Sequence, residues 1–597
     1  MCGIAGFIDY TSRLSSFDLE TQVNTLQHRG PDDFGAFFEA HKRYNIGLGN
    51  RRLKIIDLSS KGHQPFASAC GNYILVFNGT IYNYENLKKE LCALGAQFRS
   101  HSDTEVLLQS YIYWPETFLD KLNGIFGFAI YDKIRSKVLL SRDPVGVKPL
   151  MYFYENGTFI FGSELRVFLK NPCITKKLSF DALSLYLQYS FFPDERTILE
   201  KAYKVKPGEK IEIDLSSGKI SKSLYWKLDE SKTNFDTANV LHQTESLLVD
   251  SVKSRIVSDA PVGSLLSGGY DSSLVTAIAQ LQSETRLKTF SIGFEEKEYN
   301  EAPFAKEIAK HIGTDHYELY FNKTTVKGLV PLFGKTFDEP MGDSGAIGLF
   351  LAAKLAQPEV KVLLSGEGGD ELFGGYLSYF KALKYAKYTN LFPIPKKLRY
   401  NRYFDAFSQP NSFELFDSLK QFIPKPHVDR LLNSDVKINY KPESNDKLNQ
   451  LLNFDLQHYL PDDLLLKADR CMMHFGIENR DPLLNLKLIE YVASLPGYIK
   501  CPNNRPKALM KEIAHKYVPP HLLNRPKRGF SIPAYKWLSE DLRDFTIETI
   551  TALSSRSLLN SKYVLQTLSL FFQKPQLYRR QVWTLISLEL WLQEWFD

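Results

Sequence analysis

The first third of the chain alternates short apolar runs with polar turns, a pattern that indicates β-strands. Two stretches, 85–94 and 104–114, instead repeat their apolar residues with helical spacing. Asn156-Gly157 lies between two aromatic-rich runs and predicts a type I′ turn in a hairpin over 150–161. The other predicted strands cover residues 4–10, 44–49, 73–77, 126–131 and 138–141. Sheets interrupted by helices indicate a layered α+β domain.

After about residue 235 the pattern becomes one of alternating strands and helices. Helices are expected from about Ser272 and over about 301–311, where Gly313 closes the second. Such alternation implies a parallel sheet that binds ligands at the carboxyl ends of its strands. Residues 380–460 are polar, aromatic and broken by prolines, and 582–596 predict an amphipathic helix. The predicted strands here cover 262–266, 288–294 and 360–364.

Composition narrows the class of protein. With 597 residues, 44% hydrophobic and 24% charged, the chain predicts a soluble globular protein of two or three domains. The net charge of +6 includes no dense basic tract, so no nucleic-acid partner is expected. The six cysteines are scattered without a C-x-x-C pair, which argues against a zinc site and suits a reducing compartment. Without a signal peptide or a long apolar run, a cytoplasmic protein with no membrane partner is expected.

The second residue is the first candidate for chemistry. Removal of Met1 from Met1-Cys2-Gly3 would give Cys2 a free α-amine, whose unperturbed pKa is about 7.7–8.0. A terminal cysteine then holds a nucleophilic thiol and a base in one residue. The alternative is a small buried residue that opens the first strand.

Three further segments fit the same chemistry. Asn78-Gly79 is expected to end an apolar strand, where a side-chain amide and a backbone N–H can face a developing oxyanion. Arg52 and Asp103 are suited to the carboxylate and ammonium of an amino acid. Each has an ordinary alternative, which is a turn for Asn-Gly and a surface charge for Arg52 or Asp103.

Together these segments resemble the class II glutamine amidotransferase domain, an N-terminal-nucleophile fold with four αββα layers. The matching stretches are MCGIAGF, HRGPDD, RRLKIIDLS, NGTIYN and SDTEVLL. The resemblance implies that Cys2 forms a thioester with glutamine and releases ammonia, with Asn78 and Gly79 as the oxyanion hole. Arg52, Asn78, Gly79 and Asp103 would bind the glutamine. The family commonly has Glu where this chain has Thr80, so we expect a raised KM for glutamine.

A second site is predicted between a strand and a helix, in Ser267-Gly268-Gly269-Tyr270-Asp271-Ser272-Ser273. Glycines let the backbone approach phosphates, helix N-terminal N–H groups bind anions, and Asp271 suits Mg²⁺. It is not a Walker A sequence, because no Gly-Lys-Ser/Thr follows. A Ser/Gly-rich turn capping a helix is the alternative.

This stretch resembles the SGGxDS pyrophosphatase loop, and its neighbours resemble the glutamine-hydrolysing asparagine synthetase family. The neighbours are DAPVGSLLSGG, VLLSGEGGDELFGGY, GIENRDPLLN and PKRGFSIP. The resemblance implies ATP as co-substrate and Mg²⁺ held by Asp271 and Asp370. It places Glu367 where ammonia meets the acyl-adenylate and gives Lys507 a role at the phosphorus transition state, the alternative being a surface lysine. The implied ATP-binding residues are Leu266, Ser267, Gly268, Gly269, Asp271, Ser272, Ser273, Ser365 and Gly366.

The resemblance divides the chain into a glutaminase domain, 2–225, and a synthetase domain with a parallel sheet, 226–597. It implies amidation of a carboxylate through an acyl-AMP, with aspartate as the first-choice acceptor, and a homodimer would be unsurprising. A sugar uronate as acceptor, or a non-catalytic homologue that binds glutamine or nucleotide, remain alternatives. Asp481 and Asn485 depart from the family's apolar residue and Asp, which is either a harmless exchange or a change near the acceptor.

Overall fold

The computed structural model describes residues 2–171, 173–234, 236, 238–296, 298–321, 327–389, 394–395, 398–432, 434, 436–438, 440–524 and 533–597. Within these residues, no helix has both the length and the apolar character needed to cross a membrane. The PKRGFSIP segment lies outside the described residues except for Pro533.

Seventeen strands are present in the described residues, and they form three sheets. Their bounds are β1 Cys2–Asp9, β2 Asp33–Ala40, β3 Asn45–Arg52, β4 Phe66–Ala67, β5 Tyr73–Ile81, β6 Gly124–Asp132, β7 Lys137–Arg142, β8 Met151–Glu155, β9 Thr158–Gly162, β10 Ala202–Lys204, β11 Glu209–Asp214, β12 Ile220–Leu224, β13 Val262–Leu265, β14 Lys288–Phe294, β15 Asp315–Phe321, β16 Val362–Leu364 and β17 Glu478–Arg480.

The N-terminal region is a sandwich of two antiparallel sheets, in the orders β10-β8-β9-β1-β3-β2 and β12-β11-β7-β6-β5-β4. Strand β1 is buried on both faces. Ile4 and Ile8 pack in the core between the two sheets, whereas Ala5 and Phe7 pack in a core that includes the helix Ser16–Asn24. Helices Tyr84–Ala93 and Asp103–Tyr113 cover the outer face of the other sheet. The layers are therefore αββα, which confirms the predicted N-terminal-nucleophile fold.

The C-terminal region contains a parallel sheet in the order β15-β14-β13-β16-β17. Every pairing in it is parallel, as the alternating pattern predicts. Strands β13 and β16 are neighbours at its centre, so the loops that follow them meet at one edge.

Helices make up most of the remaining described structure. Those of five or more residues are Ser16–Asn24, Tyr84–Ala93, Asp103–Tyr113, Phe180–Tyr189, Val240–Arg255, Tyr270–Leu281, Ala302–Ile312, Ala346–Ala356, Gly369–Phe373, Leu377–Tyr385, Arg402–Phe407, Ser412–Lys420, Lys425–Leu431, Lys447–Phe454, the π-helical Asp455–Leu464, Leu465–Met473, Leu486–Ser494, Ala508–Ala514, Ala534–Ser539, Arg543–Ser555, Ser561–Gln573 and Pro575–Trp595.

Most predicted elements are confirmed within a few residues. The hairpin is β8–β9, with Asn156 at φ 49° and Gly157 at φ 78°, and Gly313 at φ 84° ends its helix. The prediction that Asn78-Gly79 ends a strand is wrong, because β5 continues to Ile81 and pairs with β6 along its whole length. The strand continues through Asn78, whose amide oxygen accepts from the Cys2 N–H of the other sheet, a contact that no local sequence pattern contains.

Candidate active sites

The N-terminal pocket is a cavity of about 300 Å³. Cys2, Arg52, Gly79 and Asp103, from β1, β3, β5 and a helix N-terminus, line it together. Strands β1 and β3 place Cys2 directly opposite Arg52. Four of the five residues named from sequence as nucleophile and glutamine ligands therefore line one cavity, and the fifth is Asn78.

Asn78 is oriented by Cys2. The Cys2 backbone N–H donates to Asn78 Oδ1 at 3.0 Å. That contact uses the amide oxygen, and the buried Nδ2 of Asn78 has no hydrogen-bond partner among the described residues. A buried, unpaired amide N–H beside a nucleophile is a ready donor for an oxyanion. At Gly79, a Cβ would lie 2.0 Å from the Ile125 carbonyl oxygen, so only glycine fits.

Arg52 and Asp103 bring opposite charges to the pocket. Arg52 donates from Nη1 to the Ser59 carbonyl at 3.1 Å and from Nη2 to the Asp57 carbonyl at 2.6 Å, so the loop after β3 fixes the guanidinium. Asp103 Oδ2 accepts from the Ile81 N–H at 3.0 Å. Burial raises the pKa of Asp103 to about 6. A fixed cation and a fixed carboxylate in one cavity match the two charged groups of a free amino acid.

Thr80 also lines this pocket, and it contacts the C-terminal region. Its hydroxyl lies 3.1 Å from Oε1 and 3.3 Å from Oε2 of Glu478 in β17. Glu478 is fully buried and ion-paired with Arg480. Burial alone raises the pKa of Glu478, but nearby positive charges, of which Arg480 has the largest effect, outweigh it and lower the pKa to about 2.

The phosphate loop lies at the carboxyl end of β13, followed by the helix Tyr270–Leu281. The Ser267 and Ser272 hydroxyl oxygens are 3.0 Å apart, and Ser272 Oγ accepts from the Ser267 N–H at 3.2 Å. Gly268 adopts φ 73°, and a Cβ on Gly366 would lie 2.9 Å from the Ser272 nitrogen. The loop after β16 therefore packs against the loop after β13, backbone to backbone.

Lys507 joins the two loops. Its ammonium is 2.6 Å from each carboxylate oxygen of Asp271 and 2.7 Å from Asp370 Oδ1. Lys507 is 4% exposed, which excludes the surface-lysine alternative. The ammonium shows that the two carboxylates converge on one cation position, which fits Mg²⁺. Mg²⁺ is commonly held by one or two carboxylates together with substrate phosphates.

A second cavity, of about 410 Å³, lies beside the phosphate loop. Leu266 and Ser267 line it together with apolar residues of β14, including Ile292 and Phe294. An apolar cavity next to a phosphate loop suits the base of a nucleotide. Ser273 lies within the helix, and its buried Oγ has no hydrogen-bond partner among the described residues.

Glu367 lies in the loop after β16, and its backbone N–H donates to Ser365 Oγ at 3.2 Å. Burial raises the pKa of Glu367 to about 8, despite an opposing effect from Lys467, and the nearby Asp481 adds to the rise. The structure thus brings the predicted ATP-site residues to one edge of the parallel sheet, separate from the N-terminal pocket.

An apolar cluster joins the wall of the N-terminal pocket to strand β16. Leu53, Ile55 and Ile56, which line the N-terminal pocket, pack against Val362 of β16 and Met473. Strand β16 leads directly to Ser365.

Comparison with known proteins matches two family models along the chain. The family model described as asparagine synthase matches residues 243–593, and the glutamine amidotransferase domain model matches residues 1–226. This chain belongs to the asparagine synthase family. It is 32% identical to asparagine synthetase (glutamine-hydrolyzing) 1 of Bacillus subtilis (strain 168), over 99% of this chain and 96% of that protein. It is 34% identical to the putative asparagine synthetase (glutamine-hydrolyzing) 2 of Methanocaldococcus jannaschii, over 79% of this chain and 98% of that protein.

Among solved structures, a glutamine phosphoribosylpyrophosphate amidotransferase from B. subtilis covers 62% of this chain and 77% of its own, with 16% identity and a TM-score of 0.28. The sequence matches, and not this structural likeness, establish that the chain is an enzyme of the asparagine synthase family.

Asp481 and Asn485, the two residues near β17 that depart from the family's usual sequence, have different structural consequences. Asn485 caps the helix Leu486–Ser494, accepting from the Lys487 N–H at 3.0 Å, as an Asp would. Asp481 contacts the ATP site, where it accepts from the Ser365 hydroxyl and, at 2.7 Å, from Asn479 Nδ2. Asn485 therefore acts as a helix cap, whereas Asp481 places a carboxyl group beside the candidate ATP site of this asparagine synthase family member.

Glu478 is the residue beside the pocket that the sequence did not single out. Its motif was part of the resemblance, but the contact with Thr80 spans 398 positions of the chain. The signal in the sequence that pointed to such a residue was Thr80, which stands where the family commonly has a Glu carboxylate.

Proposed function

We propose that this chain makes asparagine from aspartate, with glutamine as nitrogen donor and ATP as activating co-substrate. Each site carries out one of the two reactions, in a glutaminase domain over 2–225 and a synthetase domain over 226–597. The observation that supports this most is the Asn78 amide, whose oxygen is held by the Cys2 N–H and whose nitrogen has no partner in the part of the chain that the structure describes.

In the first site, Cys2 attacks the side-chain carbonyl of glutamine and its own α-amine accepts the thiol proton. Asn78 Nδ2 and the Gly79 N–H stabilise the oxyanion. The α-amine then passes the thiol proton to the leaving nitrogen, and the C–N bond breaks to release ammonia as the thioester forms. Arg52 and Asp103 orient the substrate through its α-carboxylate and α-ammonium. Water then releases glutamate. This scheme requires removal of Met1.

In the second site, the acceptor carboxylate attacks the α-phosphorus of ATP and pyrophosphate leaves. Asp271 and Asp370 would hold Mg²⁺, which supplies charge neutralisation at the phosphates when bound. Lys507, already between these carboxylates, adds positive charge at the reacting phosphoryl group. The resulting acyl-AMP is attacked by ammonia, Glu367 accepts a proton, and AMP leaves.

The apolar cluster of Leu53, Ile55, Ile56, Val362 and Met473 supports an internal route for ammonia. Apolar walls favour the neutral molecule over ammonium, since a charged group loses more hydration on burial. A homodimer remains a prediction.

The test measures pyrophosphate, AMP and amide formed with glutamine, ATP and Mg²⁺, comparing aspartate with a panel of sugar acids and with no acceptor. We expect equal amounts of AMP, pyrophosphate and asparagine with aspartate. Cys2→Ala should retain synthesis from ammonia alone, and the mass of the mature chain should lack Met1. Activity with another carboxylate and none with aspartate would overturn the acceptor, whereas no pyrophosphate with any acceptor would overturn the ligase reaction.

A further inference from the structure

Thr80 forms part of the wall of the glutamine pocket, and its side chain carries a hydroxyl group. It lines the same cavity as Cys2 and Asp103, and it is 2% exposed. Its hydroxyl is directed to the carboxylate of Glu478, which lies in β17 of the parallel sheet. A pocket-lining side chain is therefore hydrogen-bonded to a residue 398 positions away.

The direction of that hydrogen bond is determined by charge. Glu478 is ionised because the buried Arg480 guanidinium pairs with it and its pKa is held at about 2. An ionised carboxylate only accepts, so the Thr80 hydroxyl must donate. A hydroxyl that donates its one proton still has oxygen lone pairs with which to accept another hydrogen bond.

Glu478 is fixed in place independently of Thr80. Its backbone N–H donates to the Lys361 carbonyl at 2.8 Å, and β17 pairs in parallel with β16. The carboxylate is thus held at the back of the pocket wall, and Asp103, on the same cavity as Thr80, is close enough for the Glu478 charge to raise its pKa. Arg480 offsets part of the Glu478 charge, and what remains adds to the Asp103 carboxylate in favouring a cationic group in this cavity.

We propose that the Thr80 hydroxyl accepts a hydrogen bond from the α-ammonium of glutamine and that Glu478 is the positioning residue that orients this hydroxyl. The proposal rests on the proposed glutaminase function. Asp103 then makes the direct ionic contact, and Glu478 supplies the second negative charge through Thr80. Recognition of the amino group in the N-terminal pocket thereby depends on a residue of the C-terminal region.

The experiment compares hydrolysis of glutamine with that of 4-carbamoylbutanoate, which has the same amide and carboxylate but no amino group. The variants are Thr80→Val, which removes the hydroxyl, and Thr80→Ser, the matched control that keeps it. Glu478→Gln removes the charge behind it. Synthesis from ammonia, ATP and acceptor reports whether each variant is folded at the second site.

We expect Thr80→Val and Glu478→Gln to lower kcat/KM for glutamine about tenfold, mainly through KM, and to leave kcat/KM for the amine-free analogue unchanged. Thr80→Ser should behave as wild type. If Thr80→Val lowers kcat/KM for both substrates equally, or for neither, the hydroxyl does not contact the ammonium and the inference fails. This holds even if Glu478→Gln does not fold.

The wild-type enzyme separates this inference from the proposed function. A wild-type chain, freed of Met1, that does not hydrolyse glutamine overturns the glutaminase function and the inference with it. If the wild-type chain hydrolyses glutamine, and the variants have the same ratio of kcat/KM for glutamine to kcat/KM for the analogue as wild type, the inference alone is overturned.

Discussion

Asp103 and Glu478 lie near the same pocket, yet their pKa values move in opposite directions. Burial raises the pKa of Asp103 to about 6, whereas Arg480 overcomes the effect of burial on Glu478 and lowers its pKa to about 2. Glu478 therefore stays ionised at every pH at which the enzyme is folded and active. Asp103 becomes neutral below about pH 6 and then no longer attracts an ammonium.

This difference predicts the pH profile of glutamine hydrolysis. Both the Asp103 carboxylate and the free Cys2 α-amine, with an unperturbed pKa of about 7.7–8.0, must be deprotonated in the free enzyme. The logarithm of kcat/KM should rise with a slope of two below about pH 6 and a slope of one from there to about pH 8. Asp103→Asn should remove only the steeper limb. A wild-type slope of one down to pH 5 would contradict the assignment of Asp103.

Lys507 supports a second prediction at the residue scale. Its ammonium neutralises Asp271 and Asp370 at 2.6–2.7 Å, at the proposed Mg²⁺ position. Lys507→Gln should therefore bind Mn²⁺, without ATP, several-fold more tightly by titration calorimetry, because the competing cation is gone. Pyrophosphate release should fall at least 100-fold, since the same charge is needed in the transition state.

Lys511 provides the matched control for that variant. It lies one turn further along the helix Ala508–Ala514 and places its ammonium 5.2 Å from the centre of the Tyr270 ring. Lys511 is partly exposed, so water screens its charge more than that of the buried Lys507, and Lys511→Gln should leave Mn²⁺ affinity within about twofold of wild type. Equal affinity in wild type and Lys507→Gln would show that Lys507 does not compete for the metal.

At the scale of elements, the periodicity of apolar residues was sufficient to predict those helices and strands whose burial follows a local sequence pattern. The hairpin at Asn156-Gly157 and the helix Ala302–Ile312 each have a local signal, a turn pair and an apolar stripe. Strand β17 has neither, since its three residues, Glu478, Asn479 and Arg480, are polar and fully buried. Distant residues pair with its charged side chains, Thr80 with Glu478 and the Arg255 carbonyl with Arg480, and no window of the sequence contains those residues.

Strand β17 and the residue after it also connect the two sites, which leads to a prediction at this scale. Glu478 contacts Thr80 at one end, and Asp481 accepts from Ser365 and Asn479 at the other. Asp481→Val leaves two buried donors unpaired, each costing roughly 1–3 kcal/mol. We expect kcat/KM for ATP to fall about tenfold, while glutamine hydrolysis without ATP is unchanged.

The other departure supplies the control. Asn485→Asp should keep the helix cap and change the free energy of unfolding by less than about 0.5 kcal/mol, whereas Asn485→Ala should cost about 1 kcal/mol. ATP kinetics should not change in either variant. Wild-type ATP kinetics in Asp481→Val would show that the Ser365 contact does not position the loop.

At the scale of the whole molecule, the N-terminal and C-terminal regions share a buried ionic network. Arg29 donates to the Cys2 carbonyl at 3.2 Å, to Glu164 at 2.7 Å, and to Asp469 of the C-terminal region at 2.6 and 3.0 Å. Asp469 also accepts from Arg470 at 2.9 Å. The backbone of the proposed nucleophile is therefore one hydrogen bond away from the contact between the regions.

The last prediction follows from this network. Asp469→Asn leaves Arg29 and Arg470 short of one negative charge in a dry environment, and breaking a buried ion pair costs about 3–5 kcal/mol. Because Met473 of the apolar cluster lies on the same helix as Asp469, we expect more free ammonia per glutamine hydrolysed and less amide formed. Synthesis from added ammonia should persist. Calorimetry should show a new transition below the main one as the two regions separate.

The chain also contains an exposed ion pair between the two regions, Lys361 with Asp32 at 2.6 Å, with Lys361 39% exposed. Exposed pairs contribute about 0–1 kcal/mol, so Lys361→Ala should leave both the unfolding profile and the ratio of ammonia to amide unchanged. If Asp469→Asn keeps a single transition and the wild-type ratio, the network stabilises neither the contact nor the route. If it leaks ammonia while Lys361→Ala does not, the buried charges that hold the Cys2 backbone also keep the two reactions coupled.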